Sequence, residues 1–330
     1  MRLRRSDPAR HGFTRKGRRY LDESGTALRD SAEVERINAL AIPPAWSDVW
    51  ICPDPKGHIQ AAGTDAAGRR QYIYHQAWRQ QRDAEKHART LALASSLPRA
   101  RKVTTAALKG SSLDFSRVMA TAFRVLDIAS PRIGSESYAA EHETYGLATL
   151  RRRDVDVTGT VVSFRFVGKG GIAQEFAVRN PSLARSVNDL LARKDRGKEL
   201  LAWQDDDGWH DVRSTDINAH IKDVTRGDFT AKDFRTWNAT VLMAQVLSLA
   251  GLADGERARK TIANAYATVA DYLGNTPAIA RSSYVDSRLV DLYADGVILP
   301  AKVLPKAQRH LPIHGRVERA VLSMLSDPRR

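Results

Sequence analysis

One cysteine, Cys52, stands in a chain of 330 residues, which excludes an intrachain disulfide framework. No cluster of Cys and His offers a structural zinc site either. Cys52 follows Val49, Trp50 and Ile51 and reads as core packing. No apolar run is long enough to span a bilayer, and the first eight residues contain no apolar stretch that would serve as a signal peptide. The chain also lacks paired carboxylates of the kind that metal-dependent nucleases need. It shows no internal repeat and no low-complexity tract. Acidic residues are in deficit, with 38 Asp and Glu against 52 Lys and Arg, a net charge of +14.

What is present is a chain long enough for two domains, 42% of it hydrophobic, so a sizeable core is expected. A pI near 10.1 points to a polyanionic partner, because a basic surface gains by releasing counterions from phosphates. The excess is not confined to a tail. Residues 1–90 hold 17 basic and 11 acidic side chains, and the remainder holds 35 and 27. Both parts are therefore positive, as expected if both grip one ligand. The expected address is a reducing cytoplasm.

Residues 12–75 read as small β-rich structure. Gly12 to Leu21 is a strand candidate turned at Glu23–Gly25. A short helix follows, with Asp30 and Glu33 in capping-box spacing. Val49–Cys52 and His58–Ala62 flank a turn, and Gly68–Tyr74 is strand-like. A polar helix near 76–95 is predicted to fade at Ser95–Pro98, which gives a domain boundary: a β-rich domain over 1–92 and a mainly helical one over 96–330. In the second, Phe115, Val118, Met119, Ala122, Phe123 and Leu126 keep helical spacing up to Pro131. A short helix is expected over 135–145 with Gly146 as its stop. Thr160–Phe166 and Ile172–Val178 form a hairpin around Gly168–Gly171. Further helices are predicted at 182–194, 214–224, 231–250 and 255–273. The segment after Pro300 reads equally as a docked helix or a loose tail.

Four segments stand out in order: Pro131–Tyr138 continuing to Gly146–Leu150, Phe166–Lys169 at the hairpin tip, Lys232–Trp237 opening a long helix, and Leu273–Pro277 followed by Tyr284. Together with Gly68–Tyr74 they resemble the type IB DNA topoisomerases, in the compact poxvirus-like and bacterial branch. The resemblance covers roughly residues 12–290. It implies an α+β fold, a small β-rich domain and a mainly α catalytic domain with a β-hairpin, closing as a C-shaped clamp round double-stranded DNA. It also implies reversible nicking of one strand through a 3′-phosphotyrosyl link, with no ATP, cofactor or metal, by a monomer.

The resemblance further implies roles for individual residues. Tyr284 would be the nucleophile, since a phenol attacks phosphorus and also leaves well when the strand reseals. Arg132 and Arg235 would hold the non-bridging oxygens with planar, permanently charged forks. Lys169 with Arg132 would protonate the departing 5′ oxygen. Asn275 departs from the His common in the family; its amide donates but cannot exchange a proton. Arg69, Arg70, Gln71, Tyr72, Tyr74, Tyr138, Thr149 and Lys232 match positions that touch DNA.

Each of these residues has an ordinary reading by itself. Tyr284 reads as a half-buried helix tyrosine, Lys169 as a solvated hairpin lysine, and Tyr72 with Tyr74 as packing on one strand face. Arg235, early in a helix, sits on the wrong side of the helix dipole for a purely structural cation. A tyrosine recombinase shares much of this pattern, although Lys232 stands where it usually has His. A DNA-binding relative without activity is the alternative from another class.

Overall fold

The computed structural model describes residues 2–306 and 311–326. Contacts divide the chain into two units, Met1–His87 and Ala88–Arg330.

In the first unit, β1 (Phe13–Lys16) and β2 (Arg19–Leu21) are two strands where one was expected. Gly17 takes φ +59° between them and turns the chain ahead of the turn expected at Glu23–Gly25. The turn at Glu23–Gly25 also forms, around the Asp22 carboxylate. Helix α1 (Ser31–Ala39) starts where predicted, with Asp30 accepting from the backbone of Ala32 and Glu33. Glu33 pairs with Arg36 instead of reaching back to the cap. Strands β3 (Ser47–Ile51), β4 (Ile59–Thr64) and β5 (Arg70–Tyr74) complete an antiparallel sheet in the order β2-β1-β3-β4-β5. Ile37 of α1 packs with Ile42, Val49, Ile51 and Ala61 against one sheet face. Each large side chain so buried is worth about 1.5–3 kcal/mol.

Helix α2 runs from Gln76 to Ala107 and does not fade at Ser95–Pro98; Pro98 lies inside it. Leu93, Leu97 and Ala100 are fully buried on one face. That burial outweighs the ~3 kcal/mol that an internal proline costs a helix.

In the second unit, α3 (Phe115–Ala129) carries the predicted apolar stripe and ends on Ser130 in a left-handed conformation, just before Pro131. Helix α4 is shorter than expected, Glu136–His142, and stops at left-handed Glu143 rather than at Gly146. Strands β6 (Val155–Thr158), β7 (Val161–Val167) and β8 (Ala173–Arg179) form an antiparallel sheet in that order. Only the β7–β8 hairpin was expected. Helix α5 (Pro181–Ala192) is capped by Asn180. A small hairpin, β9 (Ala202–Asp205) with β10 (Gly208–Asp211), precedes α6 (Ser214–Thr225). Helices α7 (Ala231–Ala250) and α8 (Gly255–Leu273) keep their predicted bounds. A short α9 (Pro277–Ile279) leads into a π-helical turn, Ala280–Tyr284, and α10 spans Arg288–Ala294.

Of the segment after Pro300, Arg316–Ser326 is a helix, α11, with Val317, Val321 and Leu325 buried. Residues 307–310 and 327–330 lie outside the described residues. The whole is α+β: a small sheet in the first unit and a mainly helical second unit. Helix α7 is its centre, apolar nearly all round and buried on every face.

Candidate active site

Arg132 is positioned by two glycines. The backbones of Gly134 and Gly146 approach so closely that a Cβ on Gly146 would meet Gly134 N at 2.3 Å and Arg132 O at 2.7 Å. The approach lets Leu147 N donate to Arg132 O (2.9 Å) and Ala148 N to Ile133 O (2.7 Å). Gly146 is therefore a backbone contact and not a helix stop. Arg132, held on this ladder, donates from Nη2 to Gly274 O (3.1 Å) and to Asn275 Oδ1.

Arg235 solves a different problem. It is buried in the second turn of α7, and its guanidinium donates to Ser130 O (2.6 Å) and Leu273 O (2.9 Å). Those carbonyls belong to the C-terminal ends of α3 and α8, where carbonyls lack helical partners and the dipole is negative. The cation thus joins the ends of two helices other than its own. Its position near the start of α7 costs little, because its charge is delivered elsewhere.

The carbon of the same guanidinium lies 5.0 Å from the centre of the Tyr284 ring. Tyr284 is half-buried in the π-helical turn, where Val285 N reaches back to Ala280 O (3.0 Å) and Asp286 N donates to Thr240 Oγ1 (3.2 Å). Single π turns occur often at functional sites because they re-aim one side chain. Burial opposes a charge on the Tyr284 phenol, but Arg235, Arg132 and Lys232 outweigh it and hold the pKa below the ordinary phenol value. Tyr272, close by, goes the other way. Burial pushes its phenol up to about 12, and its hydroxyl donates to Ile128 O (3.0 Å). Burial, followed by the charge of Arg235, lowers the pKa of Arg132, which stays protonated at any working pH.

Two buried donors in this group have no acceptor among the described residues: Arg235 Nε and Asn275 Nδ2. Buried polar atoms are rarely left so, and such orphans need a reason. Asn275 has its oxygen occupied by Arg132, which leaves its NH2 group free. Among the described residues no group of three His, Cys, Asp or Glu could hold a metal ion.

Arg132, Arg235, Asn275 and Tyr284 are therefore brought together, with Lys232 exposed beside them at the start of α7. Lys169 stands apart, exposed at the β7–β8 tip, where Gly170 and Gly171 both take positive φ. Of the positions expected to touch DNA, Tyr138 is exposed on α4 with its ring against His142. Thr149 is 7% exposed, and its hydroxyl is taken up by Gly146, accepting from N (3.0 Å) and donating to O (3.3 Å). It stabilises the turn that holds Arg132.

In the first unit, Tyr72 and Tyr74 are exposed on one face of β5, an edge strand, with ring centres 6.1 Å apart. Arg70 shares that face and donates to Asp48 O (2.8 Å). The pleat puts Gln71 on the opposite face with Ile73, where it donates to Asp65. Arg69 pairs with the same Asp65 (2.8 Å).

Sequence reasoning missed Ser130, Asn238, Thr240 and Gln174. Asn238 donates from Nδ2 to Asp127 O and to Ser130 Oγ (both 2.7 Å), fixing the end of α3 that Arg235 grips. Polar side chains in the apolar body of α7 were the available signal. Gln174, beside the hairpin tip, carried none.

A family model of the eukaryotic DNA topoisomerase I catalytic core matches residues 75–293, and one of the bacterial DNA topoisomerase IB N-terminal domain matches residues 17–65. DNA topoisomerase 1B of Acanthamoeba polyphaga mimivirus is 33% identical over 273 residues, 79% of this chain and 80% of that protein. DNA topoisomerase 1B of vaccinia virus (strain Copenhagen) is 23% identical over 293 residues, 86% of this chain and 90% of that protein. DNA topoisomerase 1 alpha of Arabidopsis thaliana is 28% identical over 134 residues, 40% of this chain and 14% of that protein. The first model alone spans more than half of the sequence, and the matches together include every residue of the cluster round Tyr284. The chain belongs to the type IB DNA topoisomerase family, a family of isomerases that change DNA topology.

Proposed function

We propose that this chain relaxes supercoiled duplex DNA by nicking one strand through a 3′-phosphotyrosyl link on Tyr284 and then resealing it. The observation that carries the reading is the Tyr284 phenol itself, held below its ordinary pKa by Arg235, Arg132 and Lys232. In the nicking step the Tyr284 oxygen bonds to the scissile phosphorus and the bond from phosphorus to the 5′ oxygen breaks. The phenolic proton leaves to solvent, made easier by the neighbouring cations. Lys169, with Arg132 beside it as a cation, protonates the departing 5′ oxygen, which would otherwise leave as a strongly basic alkoxide. Resealing runs the same steps backwards, so the bond energy is retained and no ATP is consumed.

Charge accumulates on the non-bridging oxygens in the transition state. Arg132 and Arg235 meet it as permanent cations, and Arg235 Nε with Asn275 Nδ2 supply donors that have no acceptor among the described residues. Two guanidinium groups on one phosphate leave little for a metal ion to add, so relaxation in EDTA is expected. Tyr72, Tyr74 and Arg70 on the exposed face of β5, with Tyr138 and Lys232, would contact the duplex. The two units would clamp it, in a monomer, on nucleoid DNA in the cytoplasm.

The test is relaxation of a supercoiled plasmid in EDTA without ATP, wild type beside Tyr284→Phe. A ladder of topoisomers from wild type alone is the expected result. Relaxation by the Phe variant would remove Tyr284 as nucleophile. DNA binding without relaxation by either protein would favour the inactive DNA-binding reading.

A further inference from the structure

The proton donor of the proposed reaction sits on an exposed loop, while the phosphate clamp is built into helix ends. Something must bring the loop to the clamp. Gln174 lies between them. It is half-buried on β8, paired across the hairpin with Phe166, while its neighbours Ala173 and Glu175 are exposed. Its side chain covers two glycines at once. A Cβ on Gly168, the residue before Lys169, would meet Gln174 Cγ at 2.8 Å. A Cβ on Gly274, the residue before Asn275, would meet Gln174 Oε1 at 2.2 Å and Nε2 at 2.7 Å.

The Gln174 methylene therefore lies over Gly168 and its amide over Gly274, and a side chain at either place would push Gln174 aside. Gly274 is also the residue whose carbonyl receives Arg132. Within the hairpin tip, Gly168 N donates to Ile172 O (2.8 Å) and Gly171 N to Gly168 O (3.1 Å), while Gly170 and Gly171 take positive φ beside exposed Lys169. Gln174 Nε2 donates to Ala173 O (3.2 Å), which ties the amide to its own strand and fixes the direction in which it extends.

We propose that Gln174 is a positioning residue that docks the Lys169 hairpin on the Gly274–Asn275 turn, so that proton donor and phosphate clamp are held in one register. The proposal rests on the reading of Lys169 as proton donor to the 5′ oxygen. Gln174 touches no reacting atom itself; it acts through the loop that carries Lys169. Misplacing a catalytic group by about 1 Å costs on the order of 100-fold in rate.

The experiment is single-turnover cleavage of a duplex carrying either oxygen or sulfur at the 5′ bridging position of the scissile phosphate. A thiolate leaves without protonation, so sulfur relieves any defect in proton donation and no other. Wild type, Lys169→Ala and Gln174→Ala are compared on both substrates. Gln174→Ala is expected to slow oxygen cleavage by about 10- to 100-fold and to cleave the sulfur substrate within about 3-fold of wild type. Equal slowing on both substrates would overturn the proposal, since the defect would then lie in the clamp. No slowing on oxygen would also overturn it. If sulfur fails to rescue Lys169→Ala, the proton-donor reading falls first and the Gln174 proposal with it. Should Gln174→Ala not fold, Gln174→Ser is read by the same ratio.

Discussion

Tyr272 and Tyr284 stand near the same arginine and are opposite in character. Tyr272 is half-buried with its proton committed to Ile128 O, and Tyr284 faces three cations. Tyr272→Phe is expected to keep covalent capture of DNA while losing about 1 kcal/mol of stability with its hydrogen bond. Capture assays after denaturation check this; a dead Tyr272→Phe enzyme would mean that the wrong phenol has been chosen. Asn275 allows a second prediction. A neutral amide does not titrate, so the wild-type cleavage rate should show no inflection that belongs to residue 275. Asn275→His should add one near the imidazole range, about pH 6.5 before any local shift. Superimposable pH profiles for the two proteins would show that residue 275 makes no contact with the phosphate.

At the scale of elements, the site is a meeting of helix ends, and its tolerances are set by backbone. Gly146→Ala places a methyl group 2.3 Å from Gly134 N, where no flexible side chain can yield. It should cost roughly 2–3 kcal/mol, lower the melting temperature, and slow cleavage by moving Arg132. A variant with unchanged stability and rate would disprove the close approach. Much of this level was legible in the sequence. The bounds of α7 and α8 were readable, the end of α8 from Gly274. Less legible were events decided between distant segments. Pro98 looked like a helix end because local chemistry forbids it inside one; the buried face of Leu93, Leu97 and Ala100 carries the helix past it. Gly146 looked like a helix stop because its partner, Gly134, is twelve residues away. Strands β6, β9 and β10 are four residues each, too short for alternation to show. Of the candidate site, residue types and order were readable. The grouping of Arg132, Arg235, Asn275 and Tyr284 depends on three helix ends meeting, which no local pattern records.

At the scale of the second unit, helices α2, α3, α7 and α11 are tied through one buried group of charges. Arg101 of α2 pairs with Asp127 of α3 (2.7 Å) and Glu318 of α11 (2.6 Å), and Trp237 of α7 donates to Glu318. His314 lies 3.3 Å from Asp127. Burial opposes a charge on His314, but the Asp127 carboxylate prevails and holds its pKa above the ordinary imidazole value. A raised value in the folded state means that the stabilisation is complete below the unfolded value, about pH 6.5, and is lost as pH rises through the folded one. The melting temperature of His314→Ala should therefore fall further below wild type at about pH 5.5 than at about pH 8.5. An equal gap at both would assign the side chain to packing alone.

The grip of Arg235 on the ends of α3 and α8 also bears on safety. An agent that breaks a chromosome is dangerous when it can cut but not mend. On the proposed mechanism, the charge that would activate the cut is anchored by the carbonyls of Ser130 and Leu273, which end two helices of the fold. A damaged or half-folded copy would lose both capacities together, and would leave the duplex whole.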